Sequence, residues 1–338
     1  MSDLTSSGKR GVIADRLALA ALDYPVPARA NQLDFMLGAM TLVALVLLAL
    51  TGIVLTQFYD PAPLSAHSSV RYIITQLPLV NYLRDVHVSS ATVTMVLVVA
   101  HVAVVFWRGG FKKPREGLWW SGVLLLAMIF GLAFTGTVLR TDQEAVEALA
   151  HGLASAKMVG PLGRPFLPGF SDSSPLLPRY YALHVSVLPL ALVMLVALHF
   201  WLIRHLGVSA AGTRHEKFSS HLRLLSGYGL LLVAIVAALG LLNEASLLSP
   251  GVEGVEITKP FWPFLFIYAA ENKAGMIGML LAPAVVFGFL ALVPLIDRRP
   301  GPVHQVLRAV GMGLLLLLIV ASIYAALAPA QSHLEMGM

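Results

Sequence analysis

The sequence predicts an all-α integral membrane fold of seven transmembrane helices, and three observations carry that reading. Of 338 residues, 57% are apolar and only 12% charged, whereas a water-soluble domain carries roughly 25% charged residues. Apolar stretches near or above the roughly 20 residues that cross a hydrocarbon core recur seven times along the chain. Lysine and arginine gather in alternate connections, the pattern that orients a protein in a bilayer.

Taken in order, the spans fall at about 33–57, 87–107, 118–139, 181–203, 222–243, 274–296 and 305–328. Residues 1–30 lack the continuous apolar core of a cleavable signal, with Asp15, Arg16 and Asp23 set among alanines and leucines. Val12 to Leu22 reads instead as an amphipathic helix on the inner surface. With the N-terminus cytoplasmic, the inside segments hold Lys9, Arg10, Arg16, Arg29, Arg108, Lys112, Lys113, Arg115, Arg204, Arg214, Lys217, Arg223, Arg298, Arg299 and Arg308, which is 15 of the 23 basic residues. That excess puts the N-terminus inside and, after seven crossings, the C-terminus outside, in a bacterial-type inner (cytoplasmic) membrane. The net charge of +5 is thus a matter of topology and needs no nucleic-acid partner. No specific glycine-rich phosphate loop is present either. The three long connections, Tyr59 to Val86, Arg140 to Tyr180 and Asn243 to Lys273, all lie outside in this orientation. A partner or substrate pocket is expected on that face. The polar stretch from Gly207 to Ser220 separates a four-helix part, 31–206, from a three-helix part, 207–338.

Cysteine is absent, which removes disulfides, cysteine-held iron–sulfur clusters and thioether-linked haem c from this chain. Any metal must use histidine or methionine. Of eleven histidines, four lie in the spans: His87, His101, His184 and His199. His87 and His101 are 14 residues apart, so at 100° per residue they lie about 40° from facing alike and about 21 Å apart in height. His184 and His199, 15 apart, are about 60° from alignment and roughly 22 Å apart, on a helix running the same way because one helix intervenes. Depth then pairs His87 with His184 near the outer surface and His101 with His199 near the inner one. Each pair supplies both axial ligands of a haem iron, and a site with no open position suits electron transfer better than oxygen chemistry. A single histidine in a span is often just a polar group satisfied by a neighbouring helix, but four in register are not.

Glycine gives an independent check, since a flat macrocycle between helices needs places where no side chain intrudes. Gly38 and Gly52 are 14 apart on the first helix, and Gly122 and Gly136 are 14 apart on the third. Arg84 and Arg179, at the outer ends of the histidine helices, suit anionic haem propionates, with interfacial anchoring as their competing role. A proton or metal transporter would instead show charged residues or broken helices at the midplane, and these spans contain almost no acidic residues.

These residues resemble the cytochrome b/b6 family, the membrane subunit of quinol-oxidising bc and b/f complexes. His87 to Glu116, ending Gly-Gly-Phe-Lys-Lys-Pro-Arg-Glu, and Arg179 to Gly207, from Arg-Tyr-Tyr-Ala-Leu-His to His-Phe-Trp-Leu-Ile-Arg, look like the second and fourth helices of the b6 form. The last three helices resemble its separate subunit IV, here fused to the four-helix part. The resemblance implies a four-helix dihaem bundle and two non-covalent b haems on His87/His184 and His101/His199, with Gly38, Gly52, Gly122 and Gly136 facing them. It also implies quinone or quinol as substrate, other complex subunits as partners and, by analogy, a homodimer.

Three departures qualify that picture. Met36 stands where the b6 form has the cysteine of an extra covalent haem. Pro260-Phe261-Trp262-Pro263 replaces the family's Pro-Glu-Trp-Tyr, and Leu139-Arg140-Thr141-Asp142-Gln143 replaces Leu-Pro-Trp-(Gly or Asp)-Gln in the same outer pocket. Quinol oxidation releases protons and needs an acceptor within hydrogen-bond reach; Glu271, Asp142 or water are the replacements available. The expectation is an outer quinol site lost or remodelled, with electrons exchanged at the outer haem with an iron–sulfur or cytochrome c protein. Full bc-type quinol oxidation with a Rieske partner is the alternative. On the inner side Arg204, His205, Asp34 and Lys113 are the candidates for holding and protonating a quinone.

Overall fold

The computed structural model describes residues 24–207, 214–297 and 302–334. The amphipathic segment expected at Val12 to Leu22 lies outside the described residues.

Among the described residues, seven helices are long and apolar enough to cross a membrane: α1 Leu33–Leu55, α3 Pro78–Trp107, α4 Glu116–Val138, α6 Leu176–Leu206, α7 Phe218–Leu242, α8 Leu265–Ile296 and α9 Pro302–Leu327. Helices satisfy their own backbone groups, as hydrocarbon demands. Their outward faces carry exposed leucine, isoleucine and valine, such as Leu50, Ile53, Leu190, Leu230 and Leu317. Two shorter helices, α2 Ala66–Gln76 and α5 Gln143–Met158, fill long connections at the His87 end. Asp142 caps α5, its Oδ1 accepting from the Ala145 amide at 3.0 Å.

Two spans begin earlier than hydropathy indicates. Helix α3 starts at Pro78, a favoured first helical residue, and its first turns carry Arg84 and Asp85, buried against the connection after α7. Protein, not lipid, covers them, so an apolar window misses them. Helix α8 likewise starts at Leu265 and breaks at Gly275, whose φ of +60° glycine alone adopts at ease.

The main core gathers Met95, Val98 and Phe106 of α3, Trp119, Leu126 and Ile129 of α4, Leu192 of α6, and Leu290 and Val293 of α8. The three-helix part is therefore packed into the four-helix part. Trp119 and Trp120 donate through their indole nitrogens to the Leu290 and Ala291 carbonyls at 2.7 and 3.0 Å. At the His101 end, strands β1 Pro25–Pro27 and β2 His215–Lys217 pair antiparallel, Val26 opposite Glu216. Asp297, fully buried, receives His304 at 2.6 Å and Lys112 at 3.1 Å, tying the α3–α4 and α8–α9 turns together.

Candidate haem sites and an outer cavity

His87 and His184 face each other across the bundle, and His101 and His199 lie near enough to interact electrostatically. The His87 and His184 ring centroids are 6.5 Å apart. Two imidazoles bound to one ion at about 2.0–2.1 Å place their centroids roughly 6–6.5 Å apart, so this pair is spaced for bis-histidine ligation. Each histidine lies against one glycine. A Cβ added at Gly38 would meet the His101 ring at 2.9 Å, at Gly52 the His87 ring at 3.2 Å, at Gly122 the His199 ring at 3.5 Å, and at Gly136 the His184 ring at 2.9 Å.

Hydroxyl groups set the histidine tautomers, and sequence reasoning missed them. Thr51 donates to the Leu47 carbonyl at 2.7 Å, so its oxygen accepts from His87 Nδ1 at 3.0 Å. Thr135 donates to Gly131 and accepts from His184 Nδ1 at 3.0 Å, and Ser121 donates to Leu118 and accepts from His199 Nδ1 at 2.8 Å. With the proton held on Nδ1, Nε2 keeps its lone pair for a metal. The signal was present as Thr51-Gly52, Ser121-Gly122 and Thr135-Gly136. Leu37 precedes Gly38, and His101 Nδ1 is buried without a partner.

Helix α6 resolves the uneven spacing of its histidines. Residues Leu183–Val187 form a π turn, which absorbs one extra residue, a device common at functional sites. The 15-residue interval thereby gains the register of the 14-residue interval on α3, and His184 still meets Gly136.

The candidate arginines are engaged with loops. Arg84 donates to the Ala245 and Ser246 carbonyls at 2.7 and 3.1 Å, and Arg179 to Leu167 at 2.8 Å and Pro165 at 3.2 Å. At the His101 end Asp34 pairs with Arg108, and Arg204 lies over the Tyr24 ring, 3.7 Å from its centroid.

A cavity of about 330 Å³ opens at the His87 end. Phe134, Phe261, Phe264, Met279 and Pro283 form its apolar wall, and His151, Glu256, Tyr268 and Glu271 its polar end. Glu271, eight residues beyond the last proline of the altered Pro-Phe-Trp-Pro segment, is buried there with its Oε1 3.3 Å from His151 Nε2. Asp142, the other proton candidate, is not in this wall. Its two oxygens cap α5 and hold the Leu248 amide at 3.2 Å, and Arg140 adds an ion pair. No sequence pattern singles out His151 or Glu256, which lie in connections rather than spans. Glu256 accepts from Ser332 Oγ and from the His333 and Leu334 amides at 2.8, 2.5 and 3.1 Å. Burial works to raise the Glu256 pKa, but these donors and His151 pull it below the usual carboxylate value. For His151 burial acts downward, and the Glu271 carboxylate, the Glu147 carbonyl and the Glu256 charge outweigh it, leaving the imidazole above its ordinary value.

Comparison with known proteins agrees with this geometry. The family model for cytochrome b/b6/petB matches residues 21–207. The chain belongs to the cytochrome b/b6 family. Cytochrome b6 of Heliobacterium modesticaldum is 33% identical over 57% of this chain and 93% of its own length. The cytochrome b subunit of menaquinol:cytochrome c reductase of Bacillus subtilis is 34% identical over 55% of this chain and 88% of its own. A solved structure titled hyperthermophilic respiratory Complex III shares the fold over 95% of this chain and 91% of that one, with a TM-score of 0.80 at 20% identity. Membership in the cytochrome b/b6 family makes this an integral membrane electron-transfer protein that binds b-type haem. The fusion of a b6-like part to a subunit-IV-like part fits the chain's 338 residues.

Proposed function

We propose that the chain is a dihaem cytochrome b subunit carrying electrons across the bilayer between quinone and a redox partner, and that quinol is oxidised in the Glu271 cavity. The single observation that carries the second part is a buried carboxylate–imidazole pair at the end of an otherwise apolar cavity beside the His87/His184 pair.

His87 with His184 and His101 with His199 hold the two haems, and the four glycines leave room for them. Bound there, haem supplies a one-electron carrier at each depth. Thr51, Thr135 and Ser121 keep the Nδ1 protons in place, so three of the four ligands present the correct nitrogen. In the cavity Phe134, Phe264 and Pro283 exclude water and hold an apolar ring. Quinol gives up two electrons and two protons in becoming quinone. Glu271 accepts the two protons one after the other, and His151, within 3.3 Å of Glu271 and 2.8 Å of Glu256, hands each on toward Glu256 before the next arrives. The electrons leave singly, which calls for a one-electron partner at this face, an iron–sulfur or c-type cytochrome protein among the other subunits. At the opposite end Asp34, Arg108 and Arg204 are the groups for a second quinone contact. The competing reading, a relay whose outer quinol site is lost, rests on the missing glutamate of Pro-Phe-Trp-Pro.

The test is a dithionite-minus-oxidised spectrum with haem quantitation on the purified complex, followed by reduction with quinol with an inner-site inhibitor present. Two b haems and a quinol-reduction rate at least tenfold lower in Glu271→Gln, at unchanged haem content, are expected. Fewer than two haems would sink the histidine assignment. A Glu271→Gln rate equal to that of the parent would sink the cavity assignment.

A further inference from the structure

We propose that the connection between α5 and α6 holds one anionic phospholipid of the leaflet at the His87 end, its phosphate between Lys157 and Arg164 and an acyl chain along Leu167 and Phe170. These four residues, with Pro168 and Gly169, line a second cavity, of about 380 Å³, that shares no residue with the Glu271 cavity. Among the described residues its wall holds two cations and no acid. No aspartate or glutamate stands between Glu147 and Asp172 in the sequence, and neither Lys157 nor Arg164 has an ion-pair partner among the described residues. Two unpaired cations in one pocket wall repel each other. A phosphate set between them accepts from both and removes the repulsion.

The rest of the segment is apolar where a water-facing loop would be polar. Met158, Val159, Leu162, Phe166 and Phe170 are all exposed, Leu162 by 83% and Phe170 by 58%. Large apolar side chains gathered in one short stretch mark a contact surface, and basic side chains among them match an anionic headgroup. Depth identifies the contact as lipid. Helix α5 packs on α4 at Gly152, where a Cβ would meet the Phe134 ring at 2.6 Å, and Phe134 lies one turn inside Val138, the last residue of α4. The chain then folds back on α5, with Gly163 so close to the Ala156 carbonyl that no side chain fits. On the other side Arg179, in the first turn of α6, donates to the Pro165, Leu167 and Pro168 carbonyls at 3.2, 2.8 and 3.3 Å and lies 5.8 Å from the Phe170 ring centroid. Both anchors stand at the ends of membrane spans, so the cavity is fixed at the height where hydrocarbon gives way to headgroups. There exposed leucine and phenylalanine meet acyl chains, and lysine and arginine reach toward phosphate. The bound lipid ties the end of α5, the helix that carries His151, to the bilayer. Its binding is independent of the quinol reading.

The purified complex, stripped of lipid in a non-ionic detergent, is titrated with phosphatidylglycerol, and bound lipid is counted by native mass spectrometry, with the haem spectrum as the check on folding. The double variant Lys157→Gln/Arg164→Gln should bind one phosphatidylglycerol fewer per chain than the parent, at unchanged haem content. The charge-keeping pair Lys157→Arg/Arg164→Lys should retain the parent's count. Arg71→Gln, which removes an exposed arginine of α2, should retain it too. Zwitterionic phosphatidylcholine with the same chains should not distinguish the parent from the double variant. An equal phosphatidylglycerol count in the parent and the double variant overturns the site. Displacement of the lipid by millimolar inorganic phosphate would make it a pocket for the free anion and overturns the lipid. A count that falls only together with loss of another subunit would give this face to a protein partner, and overturns it equally.

Discussion

At the residue scale, the closeness of each glycine to its histidine orders the cost of filling it. A methyl at Gly38 or Gly136 would lie 2.9 Å from an imidazole, one at Gly122 3.5 Å from it, an ordinary contact. Gly136→Ala and Gly38→Ala should lower haem content measured by pyridine haemochrome, whereas Gly122→Ala should leave it near the parent level. The hydroxyls act on potential rather than occupancy. A hydrogen bond accepted from Nδ1 raises imidazole basicity and favours ferric iron. Losing a net 0.5–1.5 kcal/mol in Thr135→Val should raise the midpoint of the His184 haem by about 20–65 mV, at 59 mV per tenfold for one electron. A redox titration with no upward shift would remove Thr135 from that role. The histidines and glycines were legible in the sequence because regular helices convert spacing directly into facing. Thr51, Ser121 and Thr135 were not, because a hydroxyl in a span bonds its own helix as readily as a neighbour, and only the fold shows which imidazole lies within reach.

At the element scale, the 15-residue interval on α6 is the informative irregularity. Read as ideal helix it leaves the two histidines about 60° from alignment, and the π turn at Leu183–Val187 removes the conflict. Deleting Ser186 should collapse the π turn into ordinary α-helix while His184 keeps its facing, so both haems should survive. Inserting an alanine after Met194 has no bulge to absorb it and rotates His199 by about 100°, so one haem should be lost. Haem content in the two variants separates these outcomes, and loss of haem in both would mean the bulge does not set the register. The helix starts were less legible. Arg84 and Asp85 make the first turns of α3 look like a loop, yet they bond to the Ala245 carbonyl and amide from within a helix. Hydropathy marks contact with lipid, and these turns are buried by protein instead.

At the scale of the whole molecule, the sequence predicts a four-helix and a three-helix part but not how tightly their helices pack, nor the cavity that packing creates. His151 and His333 stand 182 positions apart in the chain, one on a surface helix and one on a tail, and no periodicity relates such residues. What brings them together is the packing of α8 against the four-helix part, through the tryptophan bonds to Leu290 and Ala291 and the buried Val293. The cytochrome b6 relative, 93% covered by 57% of this chain, matches a length close to the four-helix part alone, and the tryptophan bonds and buried Val293 join α8 to that part independently of the link between them. Cutting the chain between Val208 and Thr213 and producing the two pieces in one cell should therefore give a complex that co-purifies in mild detergent. It should retain the haem spectrum of the parent and quinol reduction within about threefold, a loss of less than 1 kcal/mol in barrier height. Pieces that separate on size exclusion while the four-helix part keeps its haem would mean that the link, rather than the buried α8 face, maintains the cavity.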